Sequence, residues 1–151
     1  MYRSFQAAKT ICFLSDWKIS NLPLEKVLYL AHMFCLGERG RALVDGRFEA
    51  WDLGPVEPNV YHRVKPYGRA PIPDIFPTPM FAEGGDDFQI VKEVYDQVKD
   101  MKPGTLVAIT HDKEGAWAQY YRPNTRGIVI PNHAIAEEYA RRLARTGQRA
   151  G

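Results

Sequence analysis

The clearest periodicity in the chain runs from Leu24 to Cys35. Leu24, Val27, Leu28, Ala31, Phe34 and Cys35 recur there at helical spacing, which predicts an amphipathic helix. Asn21-Leu22-Pro23 opens it, since proline in the first turn lacks only an amide that has no intrahelical partner. Gly37 or Gly40 supplies the stop. A second strong stripe, Phe88, Val91, Val94, Tyr95, Val98 and Met101, predicts another helix. Asp86 is its expected N-cap, with Gln89 completing a capping box.

Weaker patterns fill the remainder. Ala7, Ala8, Ile11, Cys12 and Leu14 predict a helix from Ser4 to about Ser15. Pro58 starts a short helix through Val60, Tyr61 and Val64, stopped at Pro66, and Pro103 starts another through Leu106 and Ile109 to about His111. Asn132 caps a last helix with Ile135, Tyr139, Ala140 and Leu143 inside. On it Glu137 and Glu138 precede Arg141 and Arg142 in the favourable order for exposed pairs. Leu43-Val44, Asp45-Gly46 and Arg47 to Trp51 read as a hairpin about a type I′ turn, and Ile128-Val129-Ile130 as a short strand. Trp117, Tyr120 and Tyr121 fall in a loop. From Pro66 to Gly85, five prolines and three glycines predict a loop or an internal linker open to motion. The sum is a mainly α (α+β) fold: about five to six helices with one small β-hairpin, in one domain over residues 1–151.

Composition leaves that picture standing and removes several classes. With 45% apolar and 25% charged residues among 151, the chain is neither disordered nor low-complexity. A net charge of +2 argues for no nucleic-acid polyanion and no anionic membrane. No apolar run approaches the roughly 20 residues of a membrane span. Two cysteines make no disulfide framework, and the opening Met1 to Gln6 does not read as a secretory segment, so a reducing cytoplasm is expected.

Candidate chemistry is sparse. Cys12 and Cys35 belong to no metal-ligand spacing; His32 and Cys35 stand three apart on one helix, but Cys35 falls on its apolar stripe, so buried structural thiols are expected. His111, Asp112 and Glu114 gather a histidine and two carboxylates near a helix end, the raw material of a small hydrolase. Histidine at a helix C-terminus is equally explained by the macrodipole. No nucleophile elbow, P-loop or dinucleotide fingerprint occurs. Arg141, Arg142, Arg145 and Arg149 raise a nucleic-acid regulator as an alternative, with a solvated helix face as the simpler account. Between Phe48 and Tyr61, aromatics and turn formers crowd together: Trp51 beside Gly54-Pro55-Val56 is either packed structure or a recognition patch.

The segment from Leu24 to Gly68 resembles the Panacea antitoxin domain, the SocA-like family also seen in phage-associated GepA-like proteins. Three linked pieces carry the resemblance: Lys26-Val27-Leu28-Tyr29-Leu30-Ala31, then Phe48-Glu49-Ala50-Trp51, then Gly54-Pro55-Val56 followed by Pro58, Val60 and Tyr61. Leu106, Thr110-His111 and Trp117 resemble the family's second-half signature, with Ala116 where a proline often precedes the tryptophan. The likeness covers about Phe5 to Leu143. It implies a non-enzymatic antitoxin of a toxin–antitoxin system that binds a cognate toxin encoded nearby. In the SocA-like branch it implies a proteolytic adaptor that delivers the toxin to the ClpXP protease. No cofactor and no metal are expected. The exposed edge after the hairpin, Trp51, Asp52, Glu57, Tyr61, Arg63 and Tyr67, is the expected toxin contact.

Overall fold

The computed structural model describes residues 2–150, with side chains of the last helix placed as far as Thr146. Among these residues the chain is mainly α with a small antiparallel sheet. The helices are α1 (Tyr2–Leu14), α2 (Asn21–Arg39), α3 (Pro58–Val64), α4 (Asp86–Val98), α5 (Pro103–Thr110), α6 (Ala116–Tyr120) and α7 (Asn132–Ala150). Strands β1 (Phe48–Trp51), β2 (Gly54–Val56) and β3 (Val129–Ile130) lie in the order β2-β1-β3.

Helix α2 is the axis of the fold. It packs against α1, α3, α4, α5, α7 and β2, and every residue from Leu24 to Met33 is buried. Its close approach to α7 depends on Gly37, where a Cβ would collide with the Tyr139 ring. Complete burial takes in residues that the period assigns to a wet face: Glu25, Lys26, Tyr29 and His32 are at most 1% exposed. Buried polar groups need partners. The Tyr29 hydroxyl donates to Glu138 Oε1 (2.8 Å), and His32 Nε2 pairs with Asn132 Oδ1 (2.9 Å), both on α7.

Several expectations are corrected. There are seven helices among the described residues rather than five to six, because Trp117 and Tyr120 lie in α6 and not in a loop; five residues are too few to show a period. The hairpin turn is not Asp45-Gly46: β1 pairs with β2, Trp51 opposite Gly54, so the chain reverses at Asp52-Leu53. Asp45 is occupied elsewhere, its carboxylate accepting the Arg3 and Ser4 amides at the start of α1 (3.2 Å each). β3 then joins the free side of β1, Phe48 opposite Ile130. Gly85, not Asp86, caps α4, and the Asp86 carboxylate holds Arg39 and Arg41 instead. Asn132 is the first residue of α7, and its side chain serves His32 rather than a cap.

On α7, Leu143 is 51% exposed whereas Glu138 is 1% exposed. Glu138 thus makes no surface pair. Its Oε1 accepts from Tyr29 and from the Ala116 amide (3.0 Å), while Oε2 accepts from Arg142 Nε (2.9 Å). The Pro/Gly-rich stretch is irregular after a 3₁₀ turn at Lys65–Tyr67, yet Ile72, Phe76 and Phe81 are buried. The Ile72 amide donates to Ile19 O, and the Phe81 amide to Thr10 Oγ1 (3.0 Å each), so this stretch is stitched onto α1 and the turn after it.

Two outcomes follow from this core. Glu138→Ala strips the buried partner from Tyr29, Ala116 and Arg142 at once, and is expected to cost about 3–5 kcal/mol by denaturant unfolding. Cys12 and Cys35 are fully buried and free, and burial pushes the Cys12 thiol up to about 12 and raises Cys35 as well. Neither is expected to react with a thiol reagent in native protein, and both in denaturant, measured by labelling time course.

Candidate functional site

An open cleft of about 1340 Å³ lies between the start of α2, the β1–β2 hairpin, α3 and the loop leading to β3. Its floor carries Glu25 and Lys26 of α2, its aromatic wall is Trp51 and Tyr61, and its rim carries Arg47, Lys65, Arg69 and Arg126.

The floor is a buried charged layer with a structural task. Glu25 Oε1 accepts the Glu57 amide (2.8 Å), and Lys26 Nζ donates to the Pro55 carbonyl (2.9 Å). These two bonds hold β2 and the entry to α3 against the central helix. Burial raises the Glu25 carboxyl above the usual range and lowers the Lys26 ammonium, because both lose water around the charged form. Glu25 Oε2 is buried without a hydrogen-bond partner. Gly54 (φ 113°) lets the turn close over this layer: a Cβ there would meet Lys26 Nζ and Thr110 Oγ1 at 3.0 Å each.

Trp51 is half-buried, meeting Tyr61 edge to face at 4.7 Å between centroids. Its Nε1 donates to Glu49 Oε1 (3.1 Å), and Glu49 Oε2 holds Arg47 at 3.3 Å. Behind the turn, Trp117 Nε1 donates to the Trp51 carbonyl (2.7 Å), and the Tyr121 hydroxyl donates to the Asp52 carboxylate. Trp117 is itself stacked between His111 (3.9 Å) and Tyr121 (4.6 Å). A three-ring pile of Trp117 of α6 and the residues that end α5 and α6 therefore pins the hairpin tip.

Of the six residues expected at the contact, Trp51, Asp52 and Tyr61 line the cleft together. Arg63 is exposed but leans over the Phe5 ring of α1 at 5.1 Å, and half-buried Tyr67 lies outside the lining. Glu57 is corrected outright: it is 0% exposed and caps α3, accepting from the Asn59 and Val60 amides (3.0 and 3.3 Å). The rim cations Lys65, Arg69 and Arg126 escaped the sequence reading. Arg126 arrives only through the pairing of β3 with β1, for which no local pattern exists.

The alternative chemistries do not assemble. Asp112 turns to Arg145 (2.6 Å), while the His111 ring stacks on Trp117, so the expected acid–base group is split between two faces. Arg142 and Arg145 are held by Glu138 and Asp112, and Arg141 Nε donates to the Glu114 carbonyl (2.8 Å). Arg149 lies outside the described side chains. Both His32 nitrogens are engaged, Nδ1 accepting the Val44 amide (3.4 Å), and no group of three or more His, Cys, Asp or Glu that could hold a metal occurs among the described residues. No helix among them is long and apolar enough to cross a membrane.

Residues 24–78, which supply the floor, the hairpin and the aromatic wall, match the family model of the Panacea domain of SocA-like antitoxins. The segment that builds the cleft is thus similar to that family's domain. A curated relative, "Antitoxin SocA" of Caulobacter vibrioides (strain NA1000 / CB15N), is 38% identical over 112 residues, covering 68% of this chain. The chain spans 60% of that relative's length. No solved structure gives a significant match. The Ala116 backbone amide is the donor to Glu138, a bond that a proline at this position would lack.

The buried histidine makes stability pH-dependent. Burial holds the His32 pKa below its ordinary 6.5, so below that pH the unfolded chain takes up a proton that the folded one refuses. Stability from this group is present above pH 6.5 and is lost on acidification. Glu25, raised by burial, contributes the opposite slope, so the comparison must be between variants. His32→Gln, which keeps a donor for Asn132 without a titrating ring, is expected to lose less stability than the unsubstituted chain between pH 7.5 and 5.5. Denaturant melts across that range check it.

Proposed function

We propose that this chain is a non-enzymatic antitoxin that neutralises a cognate toxin by direct binding in the cytoplasm. The observation that carries this reading is the likeness to Antitoxin SocA, together with the family match across the segment that builds the cleft. Trp51, Asp52 and Tyr61, with Arg63 and Tyr67 on the adjoining surface, form the contact in this reading. A single domain spanning residues 1–151 presents it. A half-buried Trp–Tyr pair, its tryptophan fixed by hydrogen bonds from behind, is the type of rigid anchor that dominates interface energetics. In the finer form of the proposal the bound toxin is handed to the ClpXP protease.

Co-expression with the product of the neighbouring reading frame is the test. The chain is expected to rescue growth and to co-purify with that product through a stable interface, typically about 800 Å² per partner. Delivery predicts that rescue disappears when ClpXP is deleted, whereas sequestration predicts that it persists. Trp51→Ala is expected to cost about 1–3 kcal/mol of stability, less than deletion of a fully buried ring, while weakening the complex by about 2 kcal/mol or more. A harmless neighbour, or a toxic one that forms no complex, overturns the reading.

A further inference from the structure

The charge around the cleft identifies the chemistry of what it holds. Its carboxylates are engaged: Glu25 through Oε1 to the Glu57 amide, with Oε2 buried and unpartnered, Glu49 to Arg47 and Trp51, Asp52 to Tyr121. Its outer cations are not. Lys65, Arg69 and Arg126 line the cleft, are exposed, and enter no ion pair among the described residues. Several arginines elsewhere are spent, Arg39 and Arg41 being tied to Asp86 and Asp87, Arg142 and Arg145 to Glu138 and Asp112, while Arg63 leans on Phe5 and Arg122 and Arg141 bond backbone carbonyls. Between the free cations stands apolar surface: Trp51 against Tyr61, with Leu53 at the hairpin tip 57% exposed.

We propose that the cleft receives an acidic segment of a protein partner, its carboxylates meeting Lys65, Arg69 and Arg126 and an apolar side chain packing on the Trp51–Tyr61 wall. This rests on the antitoxin reading only in taking the partner to be the toxin. A nucleic acid fits less well. Its affinity comes from many phosphate contacts and from bases stacked on open rings. Here three free cations stand over a floor and wall carrying Glu25, Glu49 and Asp52, and the two aromatic rings meet edge to face. Opposite charges at such a rim steer association and set specificity, and they are screened by salt.

The experiment measures anisotropy with three fluorescein-labelled probes: a short Glu/Asp-rich peptide with a central leucine, the same peptide with lysine at its acidic positions, and an oligothymidylate. The acidic peptide is expected to bind most tightly, to weaken as salt rises, and to lose tenfold or more on the triple variant K65E/R69E/R126E. That variant breaks no ion pair and is expected to keep its melting temperature; Tyr61→Ala, removing the wall without changing charge, is expected to weaken the same peptide. Tighter binding of the lysine peptide or of the oligothymidylate, no binding of any probe, or unchanged acidic-peptide binding in the triple variant overturns the proposal. Growth rescue separates it from the antitoxin reading. Rescue by both the unsubstituted chain and the triple variant sinks the cleft assignment alone. Failure of the unsubstituted chain to rescue, with charge-dependent peptide binding intact, sinks the antitoxin reading alone.

Discussion

A helix buried on every side must find a partner for each polar group it carries, and α2 carries four within two turns. Glu25, Lys26, Tyr29 and His32 answer that demand by each seizing a different part of the chain: the α3 entry, β2, Glu138 and Asn132. The apolar residues of α2 would pack against many arrangements of neighbours. The four polar ones accept few, because a misplaced neighbour strands a donor, an acceptor or a charge in the interior, at several kcal/mol. Hydrophobic burial drives the collapse here, and the polar stripe sets how the hairpin and α7 sit on the axis.

The cleft inherits its shape from that stripe. β2 and the start of α3 are its walls, and both are bonded to adjacent residues of α2, so floor and walls form one rigid unit. The second half of the chain acts from behind: Trp117 holds the Trp51 carbonyl and Tyr121 holds Asp52, fixing the tip that the first half builds. This gives a physical reason for a surface formed mostly by residues 24–78 to need the whole fold. Arg126 makes the same point from the rim, since it reaches the cleft only because β3 adds to β1.

Much of the element order was legible because α2 and α4 follow strict helical spacing and prolines mark the starts of α3 and α5. The misreadings share one cause: a polar side chain has several uses that local sequence does not rank. Asp45-Gly46 is a good turn by propensity, yet Asp45 is drawn to the α1 amides. Asp86 is a good cap, yet two arginines compete for it. Glu138 has the spacing of an exposed pair with Arg142, and is in fact the acceptor at the centre of a buried network. Tertiary partners decided each of those cases; Glu57 differs, its carboxylate being spent on the first amides of its own helix ahead of Pro58.

That division between spent and unspent groups gives the cleft its adaptability. The floor and the rim are chemically decoupled: Glu25 and Lys26 are bonded to backbone amide and carbonyl groups, whereas Lys65, Arg69 and Arg126 make no ion pair among the described residues. Substituting any of these three therefore breaks no ion pair seen among the described residues, and surface changes of that kind usually move stability by only about 0.5 kcal/mol. Changing the floor strands a buried charge. A scaffold arranged this way permits change at the rim while the buried layer keeps the cleft in one shape. If the cleft binds as proposed, specificity and stability reside in different residues of the same cleft.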